Sequence, residues 1–322
     1  MACEEDKPHA SEMPAIEDGQ MVLVCHEGNF RWGNASYGLI NLRSGKYQPH
    51  VHQVQTGKPL GDVLQSARLW NGEWFLVVNN SAKIEVLSGT DLKPVRTLSG
   101  FTSPRYLFPV SEDKAYVSDL YEPSIWVVRR NGSTQEGRIP MPGWTEEMEL
   151  SAGLIWVVCR TKPILVVVDP QSDRVTDSLS LPGNLTSIAK CSGNRLWVSY
   201  EKSGSSLSGI ALVQTDTRKV VKHWPVNSSA PPDRLATSLT GDTLYFLANG
   251  IRRLSTEADS AQKLGPETGN FYGLGYDPLR RQIWVSDAMD FVQKSRILQL
   301  DLQGTLLKEW EGGPVSSRFY FW

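Results

Sequence analysis

A short apolar run, an aromatic or bulky residue followed by Val, Leu or Phe, recurs along this 322-residue chain at Val22-Leu23, Phe75-Leu76, Tyr116-Val117, Trp156-Val157, Trp197-Val198, Tyr245-Phe246 and Trp284-Val285. The intervals are 53, 41, 40, 41, 48 and 39 residues. Self-similarity at a period near forty constrains the fold more than any local propensity, because one repeat is one supersecondary unit that cannot bury its own apolar face. The units share an internal order. The third reads Arg105–Val110, Lys114–Leu120, Ser124–Arg130 and Gly137–Met141; the fourth Glu149–Ala152, Leu154–Cys159, Ile164–Asp169 and Arg174–Leu181; the seventh Phe271–Tyr276, Gln282–Asp287, Arg296–Asp301 and Thr305–Trp310. Four runs of β-formers split by Asn, Gly, Asp and Ser describe a four-stranded meander. Turn pairs such as Asn131-Gly132 and Gln303-Gly304 fall where outer hairpins belong. No stretch carries an apolar stripe at helical spacing, so helices are not expected. The pattern predicts an all-β, seven-bladed β-propeller of four-stranded antiparallel blades, in which radial packing leaves only short, protected edges.

The chain ends sharpen this expectation. The first unit offers three runs, Met21–Cys25, Tyr37–Leu42 and Tyr47–Gln53, and lacks an innermost one. The chain closes on Arg318-Phe319-Tyr320-Phe321-Trp322, whose four aromatics are costly to leave in water. This C-terminal strand is therefore expected to complete the first blade, giving one propeller over residues 20–322. Residues 1–19 read as a flexible tether. Cys3 follows a small residue and precedes Glu4, Glu5 and Asp6; that order fits a lipoprotein-type acylated cysteine with an acidic export signal, which would anchor an otherwise soluble domain at the cell surface of an outer membrane. Cys25, Cys159 and Cys191 lie in or beside apolar runs and read as buried thiols, with a Cys159–Cys191 bridge left open. No C-x-x-C pair suggests zinc. The 33 Lys and Arg against 35 Asp and Glu give a net charge of -2, which offers no basic excess for a polyphosphate partner.

In such a meander the loops from one blade's outermost strand to the next blade's innermost strand share a face with the loops between second and third strands, and sites grafted on loops decide activity. Those loops collect Asn29, Phe30, Trp32, Asn34, Asn79, Asn80, Phe101, Arg105, Asp119, Tyr121, Trp144, Arg160, Tyr200, Phe271, Tyr272, Asp287 and Phe291. Flat apolar surfaces interleaved with amide, carboxylate and guanidinium groups suit a large ligand with a polarised rim. Catalytic patterns are weak: G-x-S-x-G and both nucleotide-binding glycine motifs are absent. Among the histidines, His9 lies in the tail, His50 and His52 alternate on an expected outer strand, and His26 alone falls near the presumed functional face. A calcium-dependent lactonase or lyase would have to draft Glu27, Asp119 and Asp287, each of which also suits a turn.

Tyr116-Val117-Ser118-Asp119, Trp284-Val285-Ser286-Asp287 and Trp197-Val198-Ser199 resemble the YVTN repeat of surface-layer-like seven-bladed propellers. Glu27-Gly28-Asn29 with Asn34-Ala35-Ser36, Pro59 to Val63 with Gln65-Ser66, Val77 to Ser81 with Lys83 to Val86, and Thr102 to Tyr106 resemble a Bacteroidetes subfamily of surface lipoproteins from vitamin B12 uptake loci. The resemblance implies capture of cobalamin or another corrinoid, with transfer to a TonB-dependent outer-membrane transporter on which the propeller sits as a lid. It implies no catalysis, no metal and no resident cofactor, and it carries Asn29, Asn34, Asn79, Asn80, Arg105 and Asp119 over as site-face residues. Cargo of another kind, a glycan or a peptide, suits the same architecture.

Overall fold

A computed structural model describes residues 16–132, 135–202 and 208–322. Cys3 and its acidic neighbours lie outside the described residues. Seven sheets of four antiparallel strands make seven blades. The innermost strands of blades two to seven are Leu64–Trp70, Pro104–Pro109, Thr145–Ser151, Asn184–Cys191, Asp233–Thr237 and Phe271–Asp277. Blade one takes its innermost strand from the other end of the chain: Ser316–Phe321 pairs antiparallel with Met21–His26, Val22 opposite Phe321 and Leu23 opposite Tyr320.

The recurrent aromatic explains the ring. It sits on the second strand of blades two to seven, flanked by strands on both sides and by neighbouring blades above and below, so the run is apolar at consecutive positions. Phe75, Tyr116, Trp156, Trp197 and Trp284 are all fully buried. The apolar residues divide into seven clusters, each shared by two adjacent blades; Trp156, Val158, Leu196 and Val198, for example, join blades four and five. Each such large side chain contributes roughly 2–3 kcal/mol by leaving water. The three described cysteines are buried free thiols, so Cys159 and Cys191 are not bridged.

Two expectations in blade one are corrected. The third run does not continue as a strand: after Tyr47–Gln48 the chain turns at His50, which is left-handed at φ 49, and Val51–Thr56 forms a short helix. His50 therefore caps that helix, and His52 is buried within it, so the two do not share a strand face. His26 is sealed beneath the loops, its ring nitrogens 2.8 Å from Ser316 Oγ and Tyr47 Oη.

One irregularity positions the site. In blades two to seven the register between first and second strands shifts near the start of the innermost strand, between Leu64 and Ser66, Pro104 and Leu107, Thr145 and Met148, Leu185 and Ser187, Asp233 and Ala236, and Phe271 and Gly273. A bulge re-aims the extra side chain. Blade one repeats the shift between Cys25 and His26 against the closing strand, and the seven bulges at one level build a ring of re-aimed residues at the upper end of the channel.

Candidate functional site: the upper mouth of the channel

The bulged positions carry polar side chains where strand interiors elsewhere are apolar: Gln65, Arg105, Tyr106, Glu146, Glu147, Arg234 and Tyr272, joined by Arg318 of the closing strand and Glu27 of the first loop. Arg105 donates from Nε to Glu146 Oε1 at 2.9 Å and from Nη1 to Gln65 Oε1 at 2.5 Å. Arg318 donates to Glu147 Oε1 at 2.6 Å and to the Tyr106 hydroxyl, which also accepts from Gln65 at 3.1 Å. Burial pushes the Tyr106 phenol up to about 12, with the Arg318 charge acting against it, so Tyr106 is a neutral acceptor. Tyr272 donates to the Glu27 carboxylate at 3.1 Å, and Arg234 lies 3.6 Å from the same carboxylate. Charges buried this deeply survive because each has an opposite partner.

Arg234 stands apart. Its φ of 55 is left-handed, inside a strand, a conformation that costs a non-glycine residue about 1–3 kcal/mol. Its guanidinium lies 4.5 Å from the Tyr272 ring centroid and makes no hydrogen bond among the described residues. It borders a groove of about 330 Å³ between blades six and seven, shared with Asn249, Asn270 and Phe271.

Above the charged ring lies an aromatic rim. Phe30, Trp32 and Tyr121 are 60%, 70% and 72% exposed, and Phe291 is 45% exposed with its ring 5.5 Å from Tyr272. The long first loop is held as a shelf: Asn29 and Asn34 exchange two hydrogen bonds, at 2.7 and 2.9 Å, and Asn29 Nδ2 donates to the Phe291 carbonyl at 3.0 Å, clipping blade one to blade seven. Trp144 is half-buried with the Arg105 and Arg160 guanidinium carbons each 5.9 Å from its ring, and its Nε1 has no partner. Arg160 donates to the Thr186 carbonyl.

The structure thus brings Asn29, Trp32, Asn34, Arg105, Tyr121, Trp144, Arg160, Tyr272 and Phe291 to one mouth. It gives five other expected residues structural work. Buried Asn79 donates to Ser103 Oγ and the Pro104 carbonyl, both at 2.9 Å, and Asn80 donates to Asp62. Asp119 accepts from the Ser103, Tyr121 and Glu122 amides and from Trp126 Nε1. Asp287 accepts from the Asn270 and Met289 amides, both at 3.0 Å. Tyr200 is 5% exposed within the core between blades four and five. Of the carboxylates a calcium-dependent enzyme would need, Asp119 and Asp287 are therefore spent on backbone amides and Glu27 on Tyr272 and Arg234, and among the described residues no group of three or more His, Cys, Asp or Glu is placed to hold a metal. Tyr106, Glu146, Glu147, Arg234 and Arg318 were not anticipated; the signal for them is a polar residue at the same phase of successive repeats, in the first residues of each innermost run.

No protein-family model matches the chain, and no curated protein matches it. Solved structures do. A quinoprotein alcohol dehydrogenase-like protein of Bacteroides thetaiotaomicron is 12% identical, with a TM-score of 0.73 over 94% of this chain and 78% of that one. A putative 6-phosphogluconolactonase of Bacteroides fragilis is 12% identical, with a TM-score of 0.69 over 96% of this chain and 100% of that one. Dihydro-heme d1 dehydrogenase NirN is 11% identical, with a TM-score of 0.63 over 97% of this chain and 77% of that one. At these identities the likeness shows the fold: the chain is a seven-bladed β-propeller with a charged ring beneath an aromatic mouth. The expectation of a non-enzyme is corrected by the same finding, since the neighbours bear the names of dehydrogenases and a lactonase.

Proposed function

We propose that the upper mouth captures a large, flat-faced ligand with hydrogen-bonding groups along its edge, and that this ligand is a corrinoid passed to a TonB-dependent outer-membrane transporter. The observation that carries this reading is the exposed aromatic rim, with Phe30, Trp32 and Tyr121 each at least 60% exposed on loops that other side chains hold in place. Exposed aromatics on a braced shelf supply apolar area at little entropic cost. Beneath them Arg234 and the Asn249 amide, both lining the groove between blades six and seven, are groups that amide and phosphate edges of a ligand would satisfy. The motif resemblance supplies the corrinoid, and anchoring through Cys3 at the cell surface belongs to the same proposal. Isothermal titration of the purified protein with cyanocobalamin and with cobinamide tests it. Submicromolar binding of both supports a mouth that reads the ring; no heat and no thermal shift with either overturns the corrinoid reading.

A further inference from the structure

The opposite end of the channel holds a second recess. Arg318, Glu147 and Tyr106 form a layer across the channel, Glu147 Oε2 and Arg318 Nε being sealed within it. Below that layer a vestibule of about 270 Å³ opens at the lower face. Its wall is apolar, built from Leu107, Phe108, Met148, Ile188 and Leu235. Besides the paired Arg318 and Glu147 of that layer, three charged side chains line it: Arg68 on blade two, Glu149 on blade four and Lys190 on blade five. Among the described residues none of the three makes an ion pair; Arg68 lies 5.4 Å from the Phe108 ring centroid, and the Glu149 carboxylate has no side-chain hydrogen bond. Elsewhere in the channel the charges are matched in close pairs. Here two cations face one carboxylate across an apolar recess without meeting it. That leaves a local excess of one positive charge and a gap that a ligand can bridge.

We infer that the lower vestibule binds a small amphipathic carboxylate, its apolar body against Phe108, Ile188 and Leu235 and its charge between Arg68 and Lys190, with Glu149 beside it. An apolar pocket with a few converging polar groups is the form small-molecule sites take. Glu149 makes the site pH-dependent. Burial pushes its carboxyl up to about 7, with Arg68 and Lys190 acting against that rise and Glu147 reinforcing it. The other titratable or charged groups lining the vestibule are Tyr106, Glu147, Arg318 and Tyr320. Below about 7 the protonated Glu149 donates to the ligand's carboxylate; above it, the ionised Glu149 repels that carboxylate.

Benzoate is the probe, followed by ligand-observed NMR and thermal shift at constant ionic strength, with benzamide and benzylammonium as neutral and cationic counterparts. Benzoate is expected to bind, to weaken as pH rises through about 7, and to lose about fivefold or more in affinity in Arg68→Gln and in Lys190→Gln. Glu149→Gln is expected to remove the pH dependence and to tighten benzoate binding above about pH 8. Arg68 and Lys190 are exposed, so these variants are expected to keep the parent melting temperature without ligand. The inference is overturned if benzoate and benzamide behave alike, if benzylammonium binds more tightly, if the Arg68→Gln, Lys190→Gln double variant keeps benzoate affinity within twofold, or if Glu149→Gln leaves the pH profile unchanged.

Discussion

At the scale of the residue, the mouth separates groups that meet a ligand from groups that hold the ring. Trp32 and Tyr121 are exposed and support little else, so Trp32→Ala and Tyr121→Ala are expected to leave the melting temperature near that of the parent and to weaken cyanocobalamin about thirtyfold each, the ~2 kcal/mol of an aromatic anchor; titration calorimetry checks this. Arg105 is different. Arg105→Met strands Glu146, which is 5% exposed, and is expected to cost about 3 kcal/mol in denaturant unfolding. His26 ties stability to pH. Burial, with the His50 charge adding to it, lowers its pKa from 6.5 to about 3. The unfolded chain therefore binds the extra proton between those values, and the stability present above about 6.5 is lost as pH falls, at up to about 1.4 kcal/mol per unit. Denaturant unfolding at about pH 7.5 and about pH 5 is expected to show a loss smaller by about 2 kcal/mol in His26→Gln than in the parent. Of these residues, the rim aromatics were legible because they interrupt polar loops. Arg234 and Arg318 were not: a lone arginine inside a β-run looks the same whether it points at solvent or into a channel.

At the scale of the element, the closing strand is the vulnerable part. Phe319 packs with Trp284, and Trp74 packs against Tyr320 and Trp322 at ring distances of 5.9 and 4.9 Å. The seam needs glycine on the facing strand of blade seven: a Cβ on Gly273 would lie 2.9 Å from the Ser317 backbone carbonyl. Gly273→Ala is expected to cost about 2 kcal/mol by overpacking, and Phe319→Ala about 3–4 kcal/mol by opening a cavity; both are read from the unfolding midpoint. Removing Ser316–Trp322 exposes the edge of Met21–His26 and is expected to abolish cooperative melting. The terminal aromatics made this strand legible. The innermost strand of blade four was only partly so: the repeat placed it at Glu149–Ala152, whereas it begins at Thr145. Thr145-Glu146-Glu147 reads as a polar turn, and only the bulge beside the channel makes a strand of it.

At the scale of the whole molecule, seven shared cores and a non-covalent closure make the ring a single cooperative object, since no blade can leave without opening two cores. Fluorescence from tryptophans distributed around the ring and far-ultraviolet circular dichroism are expected to trace one coincident unfolding transition; an earlier fluorescence phase would reveal a core that opens on its own. The layer of Arg318, Glu147 and Tyr106 divides the channel, so its two ends present different chemistry, aromatic and guanidinium-rich above, apolar with three unpaired charges below. The chain by itself determined blade number, strand order and closure, because these follow from periodic burial and a one-dimensional pattern records that directly. Only the tertiary structure decided which polar residues converge. Arg105, Glu147, Arg234, Tyr272 and Arg318 come from five different blades, and their meeting depends on bulges and radial geometry, which the spacing of residues along the chain does not encode.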